Sequence, residues 1–138
     1  MIAKLPVPPS VTDPSPGSEG RSSILLVDDD EFILHAVGLL LSHMGYTPVF
    51  AATGEQALVE LEAGLRPILV ILDMDMPGMG GACTLPLIRS LRPELPIVIA
   101  TGRPDRKVLE LSQCFPGVSV MPKPYGWVEI QKRLTSRV

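Results

Sequence analysis

The sequence has few cysteines, few aromatic residues, no long hydrophobic run and no excess of positive charge. Its two cysteines, Cys83 and Cys114, are too few and too far apart in 138 residues for a disulfide framework or a zinc finger, and we expect both to be small buried residues. No apolar stretch reaches the roughly 18 residues of a membrane-spanning helix, and the first residues do not resemble a secretory signal. The net charge of −3 has the wrong sign for a nucleic-acid groove. These absences predict a cytoplasmic domain that contacts neither a membrane nor a nucleic acid.

The remaining composition is that of one domain with an aliphatic core. Hydrophobic residues make up 46% of the chain and aromatic residues only 4%, so Leu, Val, Ile, Met and Ala must fill the core. The composition changes at about residue 23. Residues 1–23 are rich in Pro, Ser and Gly and show no apolar period, which predicts a linker or tail, and residues 24–138 are predicted to form the folded domain.

The hydrophobic period alternates along residues 24–138 between that of buried strands and that of amphipathic helices. Continuous apolar runs at 24–27 and 68–72 indicate strands buried on both faces, and Pro48 places the second strand at a sheet edge. Because parallel strands require helical crossovers, the alternation predicts a doubly wound α/β fold. Pro86 is compatible with the third helix only in its first turn. The predicted strands are 24–27, 47–51, 68–72, 97–100 and 118–121, and the helices about 33–44, 55–63, 83–92, 105–115 and 127–136.

Polar side chains follow the ends of four predicted strands. They are Asp28, Asp29 and Asp30 after the first strand, Asp73 and Asp75 after the third, Thr101 after the fourth and Lys123 after the fifth. Ligands of open parallel sheets bind beyond these strand ends. Two carboxylates about 4 Å apart repel by roughly 4 kcal/mol at an effective dielectric of about 20, so the acids need a counter-charge. Oxygen ligands of this kind favour Mg²⁺, and the cleft is predicted to bind a phosphoryl group with a carboxylate as nucleophile.

Four motifs occur in a fixed order: ILLVDDDE at 24–31, LDMDMPGMGG at 72–81, TG at 101–102 and KPY at 123–125. Together they resemble the response-regulator receiver domain of two-component signalling, over residues 24–138. The resemblance implies a flavodoxin-like (βα)5 fold with five parallel strands in order 2-1-3-4-5. It also implies a signalling domain rather than an enzyme, which takes a phosphoryl group from a histidine kinase or a histidine phosphotransfer domain.

The resemblance assigns the acids of the cleft to phosphoryl acceptance and metal binding. Asp73 would be the phospho-acceptor. The carboxylates of Asp28, Asp29 and Asp73 would hold Mg²⁺, and the backbone carbonyl of Asp75 would complete the protein ligands of the ion.

The resemblance also assigns the remaining polar residues. Thr101 would hydrogen-bond to the phosphoryl group and Lys123 would pair with it, although Thr101 could instead cap the fourth helix. The Lys123–Pro124 bond is expected to be cis. Phosphorylation would then bias the packing of the face formed by the fourth helix, the fifth strand and the fifth helix, through which the domain could also dimerise.

Two features depart from the pattern of the family. Val120 occupies a position that is often aromatic, so a ring cannot move into the space that the threonine vacates. Asp75 is acidic where many relatives carry a neutral group. We expect it to face Arg103 across the mouth of the cleft and to set the lifetime of the phosphorylated state.

Three alternatives remain open at this point. The LDMD segment at 72–75 also resembles the first motif of haloacid-dehalogenase-type phosphatases, with Asp73 as nucleophile. A second alternative is a receiver-like scaffold that binds partners without being phosphorylated. The third concerns the parent protein: residues 2–7 resemble the last strand of a histidine-kinase ATP-binding domain, which favours the C-terminal receiver of a hybrid sensor kinase over a stand-alone domain.

Overall fold

The structure is a computed structural model that describes residues 21–76 and 80–136. The predicted linker at 1–23 lies almost entirely outside these residues and stays a prediction. Within the described ranges no helix is long and apolar enough to cross a bilayer.

Five strands alternate with five helices along the described chain. The strands are β1 (Ser23–Val27), β2 (Thr47–Ala51), β3 (Leu69–Asp73), β4 (Ile97–Thr101) and β5 (Val118–Pro122). The helices are α1 (Glu31–His43), α2 (Gly54–Glu62), α3 (Gly80–Leu91), α4 (Arg106–Gln113) and α5 (Trp127–Ser136). Four of the helices begin within two residues of their predicted starts, and α3 begins three residues early.

The strands form one parallel sheet in the order β2-β1-β3-β4-β5. This confirms the predicted flavodoxin-like fold and the place of the second strand at an edge. Successive side chains of a strand point to opposite faces, and in β1 Leu25 joins one core cluster while Leu26 joins the other. Helices α2, α3 and α4 cover the first cluster, and α1 and α5 cover the second. The carboxyl ends of all five strands therefore meet at one edge of the sheet.

Two expectations about α3 and the cysteines were wrong. Pro86 lies in the second turn of α3, because the helix begins at Gly80 rather than near Cys83. The missing N–H of Pro86 leaves the carbonyl of Ala82 without its helical donor, but both residues are exposed, so water can take that place. Cys83 and Cys114 are exposed instead of buried: Leu85 and Ile88 take the core-facing positions of α3, and Cys114 lies at the C-terminal cap of α4.

Candidate functional site

Two buried carboxylates lie side by side at the ends of the central strands. The register pairs Val27 of β1 with Leu72 of β3, so the next residues, Asp28 and Asp73, are adjacent. Their residues are 1% and 3% exposed. Buried charges are costly unless they are hydrogen-bonded or paired, so these two carboxylates must find partners at the strand ends.

Each buried carboxylate accepts a backbone hydrogen bond from two residues further on. Asp28 Oδ1 accepts from the N–H of Asp30 at 2.9 Å, and Asp73 Oδ1 accepts from the N–H of Asp75 at 3.1 Å. Asp30 also begins α1, because its own Oδ1 accepts from the N–H of Phe32 at 2.9 Å. The loops after β1 and β3 are thus folded around the acids that they carry.

Three carboxylates converge closely enough to share a cation. One oxygen from each of Asp28, Asp29 and Asp73 lies within 4.8 Å of the others, and Asp29 is the exposed member. Burial raises the pKa of Asp28, and the charge of Asp73 adds to this, against the lowering effects of the Asp30 N–H and of Lys123. An all-oxygen set of this spacing, with one face open to solvent, fits Mg²⁺, which binds few carboxylates and keeps several waters.

Lys123 supplies the positive charge of the site. Its Nζ donates to Asp73 Oδ1 at 2.8 Å and lies 3.5 Å from Asp28 Oδ2. Burial by itself lowers the pKa of Lys123, but the hydrogen bond to Asp73 and the charges of both acids outweigh it, so the pKa is raised. The ammonium group therefore stays charged and holds the two acids together.

Thr101 is buried at the end of β4, next to the strand that carries Asp73. Its Oγ1 accepts from the N–H of Arg103 at 3.0 Å, and its carbonyl accepts from the N–H of Lys123 at 2.8 Å. The residue that caps α4 is Asp105, whose Oδ1 accepts from the N–H of Val108 at 3.1 Å. The interpretation of Thr101 as a cap of the fourth helix was therefore wrong. The hydroxyl of Thr101 donates to no acceptor among the described residues, so it can donate to a ligand.

The expected cis peptide bond between Lys123 and Pro124 lies directly after β5. It is followed by a residue to which the sequence reasoning assigned no role. The hydroxyl of Tyr125 is buried and has no hydrogen-bond partner in the described part of the chain. Burial, together with the charges of Asp28 and Asp73, raises the pKa of this phenol. The residue stood in the quoted KPY motif, but nothing in the sequence signals that a hydroxyl there lacks a partner.

The residues that depart from the family pattern, together with Arg103, lie at the edge of the site. Asp75 and Arg103 are both exposed, and neither ion pair found among the described residues joins them. Val120 is half-buried against the core cluster beneath α2, α3 and α4, and its carbonyl accepts from Nη2 of Arg133 in α5. The assignments of Asp75, Arg103 and Val120 to tuning and switching stay predictions.

The family model of the response regulator receiver domain matches residues 24–135. The chain belongs to this family. The chain is 33% identical over 116 residues to the response regulator MprA of Mycolicibacterium vanbaalenii. This match covers 80% of the present chain and 48% of MprA. It is 32% identical over 120 residues to the DNA-binding response regulator MtrA of Mycolicibacterium smegmatis. This match covers 86% of the present chain and 51% of MtrA. The chain thus spans about half the length of these curated relatives.

Solved structures of receivers have the same fold. The chemotaxis protein CheY4 of Vibrio cholerae matches with a TM-score of 0.79 at 25% identity, over 86% of this chain and all of CheY4. The response regulator protein TrrA of Thermotoga maritima, solved in complex with Mg²⁺ and BeF, matches with a TM-score of 0.74 at 26% identity, over 85% and 99%. The receiver function predicted from the four motifs is confirmed at the level of the family, and the phosphatase and scaffold alternatives are not favoured.

Proposed function

We propose that Asp73 accepts a phosphoryl group from a phosphohistidine, assisted by Lys123, Thr101 and a Mg²⁺ ion. The observation that carries the proposal is the convergence of three carboxylate oxygens within 4.8 Å, with the Lys123 ammonium 2.8 Å from the Asp73 carboxylate. A purely structural acid cluster would not need a buried carboxylate, a lysine and an open cation position at the same strand ends.

The hydrogen bonds of Asp73 favour one of its oxygens as the nucleophile. Among the described residues both donors, Lys123 Nζ and the Asp75 N–H, are directed to Oδ1. This leaves the lone pairs of Oδ2 for attack on phosphorus. A P–O bond then forms at Oδ2, the P–N bond to the donor imidazole breaks, and the imidazole nitrogen takes up a proton from solvent.

The chain's own groups act on the transferred phosphoryl group by charge and position. The transition state is loose and spreads charge over the phosphoryl oxygens, so Lys123 Nζ stabilises it by moving from the carboxylate toward those oxygens. The hydroxyl of Thr101 can donate to a phosphoryl oxygen while its own oxygen still accepts from the Arg103 N–H.

The carboxylates of Asp28, Asp29 and Asp73 would hold the Mg²⁺ ion, and the carbonyl of Asp75 is proposed as the remaining protein ligand. When bound, the ion supplies positive charge that offsets both the acids and the incoming phosphoryl oxygens. TrrA, a response regulator protein of the same fold, was solved in complex with Mg²⁺ and BeF, which supports this assignment.

Acetyl phosphate with Mg²⁺ tests the proposal, with intact-mass spectrometry as the readout. The wild-type chain should gain one phosphoryl group, Asp73→Asn should gain none, and the matched control Asp105→Asn should gain as much as wild type. Labelling of Asp73→Asn at the wild-type level would contradict the assignment. Steady turnover of p-nitrophenyl phosphate would instead support the phosphatase alternative, and absence of labelling in the wild-type chain would support the scaffold.

We further propose that the phosphoryl donor is a histidine kinase or a histidine phosphotransfer domain, and that the receiver works in the cytoplasm. The named relatives are response regulators and give no support to a hybrid-kinase parent, which stays a prediction. MtrA is named a DNA-binding response regulator, so nucleic-acid binding by a larger parent protein is compatible with this chain being its receiver. The acidic net charge still argues against DNA binding by the receiver itself. Dimerisation through α4, β5 and α5 also stays a prediction.

The exposed pair of Asp75 and Arg103 is proposed to set the lifetime of the phosphorylated state, by restricting the water that attacks the aspartyl phosphate. Asp75→Asn and Arg103→Ala should each change the dephosphorylation rate of chain labelled with acetyl phosphate, as followed by intact mass. If both variants lose the group at the wild-type rate, the two residues have no such role.

A further inference from the structure

A strip of exposed apolar side chains lies on α2 and α3, on the opposite face of the sheet from α1 and α5. Val59 of α2 is 61% exposed, and Leu87 and Leu91 of α3 are 44% and 36% exposed. We call these three residues the α2–α3 strip. Single exposed apolar residues are common on protein surfaces, whereas a contiguous group marks a contact site.

Hydrogen bonds from Arg92 link the carboxyl ends of the two helices that carry the strip. Arg92, directly after α3, donates from Nη2 to the carbonyl oxygens of Leu61 at 2.8 Å and Leu65 at 2.9 Å, at and just beyond the end of α2. Both helices run antiparallel to the strands that they connect, so they run in the same direction. Val59 lies two residues before Leu61, and Leu87 lies five residues before Arg92, so both residues lie near the linked ends of the two helices.

The helical spacing of α3 places the strip on the side of that helix toward α2. The guanidinium of Arg89 lies on the other side, because its Nη2 is 3.4 Å from where a Cβ of Gly117, just before β5, would lie. At 100° per residue, Leu87 and Leu91 are 160° to 200° away from Arg89 around the helix axis. The strip therefore borders the groove between α2 and α3.

The charged side chains of α2 are all negative, and the guanidinium of Arg92, which follows α3, is engaged by the backbone carbonyls of Leu61 and Leu65. Helix α2 carries Glu55, Glu60 and Glu62 and contains no Lys or Arg. The one charged residue of α3, Arg89, is buried. A second copy of the same face would bring glutamates against glutamates, whereas a partner with positive charge beside apolar residues would match both properties.

We propose that the α2–α3 strip binds a basic amphipathic helix of a partner protein. Apolar side chains of the partner at helical spacing cover Val59, Leu87 and Leu91, while its Lys and Arg residues pair with the glutamates of α2. The proposal is independent of phosphorylation, because none of these residues belongs to the site at the strand ends. It adds a partner surface to the receiver that is distinct from the face of α4, β5 and α5.

The test is a titration of the ¹⁵N-labelled, unphosphorylated chain with a designed helical peptide of about 18 leucine and lysine residues, followed by NMR. The shift changes should cluster on α2 and α3, and the double variant Val59→Lys, Leu87→Lys should weaken Kd at least tenfold. The matched control is Leu39→Lys, which replaces a leucine of α1 that is 53% exposed. This variant should leave Kd unchanged. Because all three parent residues are exposed, thermal melts should show that the variants remain folded.

Three outcomes would overturn the proposal. The first is a loss of affinity per added lysine that is the same in Leu39→Lys as in the double variant, which would mean that the peptide follows overall charge. The second is a set of shift changes centred outside α2 and α3. The third is concentration-dependent self-association of the chain that the double variant abolishes, which would assign the strip to a contact between copies. Since phosphorylation is absent throughout, none of these outcomes bears on the role of Asp73.

Discussion

Gly81, in the first turn of α3, has no space for a side chain, because the helix begins against the backbone at the end of β3, the strand that carries Asp73. A Cβ at position 81 would lie 2.7 Å from the carbonyl oxygen of Asp73 and 2.8 Å from Cα of Met74. Both are backbone atoms, which no change of rotamer can move. We therefore expect Gly81→Ala to displace the loop after β3 or the start of α3.

Two opposing contributions to the free energy of unfolding decide whether Gly81→Ala stabilises or destabilises the protein. Alanine is favoured over glycine in a helix interior by up to about 1 kcal/mol, and by less in a first turn. Overpacking that forces a backbone shift costs about 1–3 kcal/mol. Gly81→Ala should thus lower the free energy of unfolding in urea, with an unchanged m-value. It should also slow labelling by acetyl phosphate about tenfold or more, because the carboxylate of Asp73 is no longer held in place.

Gly102, after β4, provides the matched control. A Cβ there would meet no atom within 4 Å, and its backbone does not adopt the left-handed conformation that favours glycine. Gly102→Ala should therefore be neutral, or stabilise by up to about 1 kcal/mol through the unfolded state. The reasoning is refuted if Gly81→Ala proves as stable as Gly102→Ala and accepts phosphate as fast.

Three further predictions concern single polar groups of the site. In EDTA, Asp28→Asn should raise the melting temperature by a few degrees, because burial and the charge of Asp73 disfavour the ionised form of Asp28. In Mg²⁺, thermal melts of the same variant should lack the added stability that the ion gives the wild-type chain. Thr101→Val should lower the free energy of unfolding by about 1–3 kcal/mol, since the N–H of Arg103 loses its acceptor, and Thr101→Ser should restore it; urea unfolding measures both. Tyr125→Phe should raise the free energy of unfolding in urea by about 1 kcal/mol, because it removes a buried hydroxyl that has no partner among the described residues. An unchanged or lower value would mean that water satisfies this hydroxyl.

The strand ends were the most predictable feature, and their physics explains why. A short run such as 24–27, apolar at every position and followed by acids, is typical of a strand covered on both faces, and the polar residue after it then lies at the sheet edge. Parallel pairing brings Asp28 and Asp73 to the same edge with no further information. Motif order along the chain therefore predicted both the fold and the members of the candidate site.

Contacts that depend on side-chain direction or close backbone approach were not predictable from pattern alone. The start of α3 was placed too late because two glycines look like a loop, while in the folded chain Gly81 is a point of close backbone contact. The exposure of Cys83 and Cys114 was missed for a related reason. The exposure of Cys83 depends on which face of α3 meets the sheet, and that face carries Leu85 and Ile88, whereas Cys114 lies at the C-terminal cap of α4.

The charge of the site links its resting geometry to its proposed chemistry. Three carboxylates and the ammonium of Lys123 leave two negative charges uncompensated, which is the charge that one divalent cation neutralises. Phosphorylation of Asp73 replaces one carboxylate charge by about 1.5 to 2 negative charges that extend further from the sheet. The ammonium of Lys123 would then be attracted toward the phosphoryl oxygens and away from Asp28. Because the backbone N–H of Lys123 donates to the carbonyl of Thr101, a displacement of Lys123 would also displace the end of β4. Because Val120 offers no ring to respond, we expect the change to be transmitted through this hydrogen bond between the ends of β4 and β5.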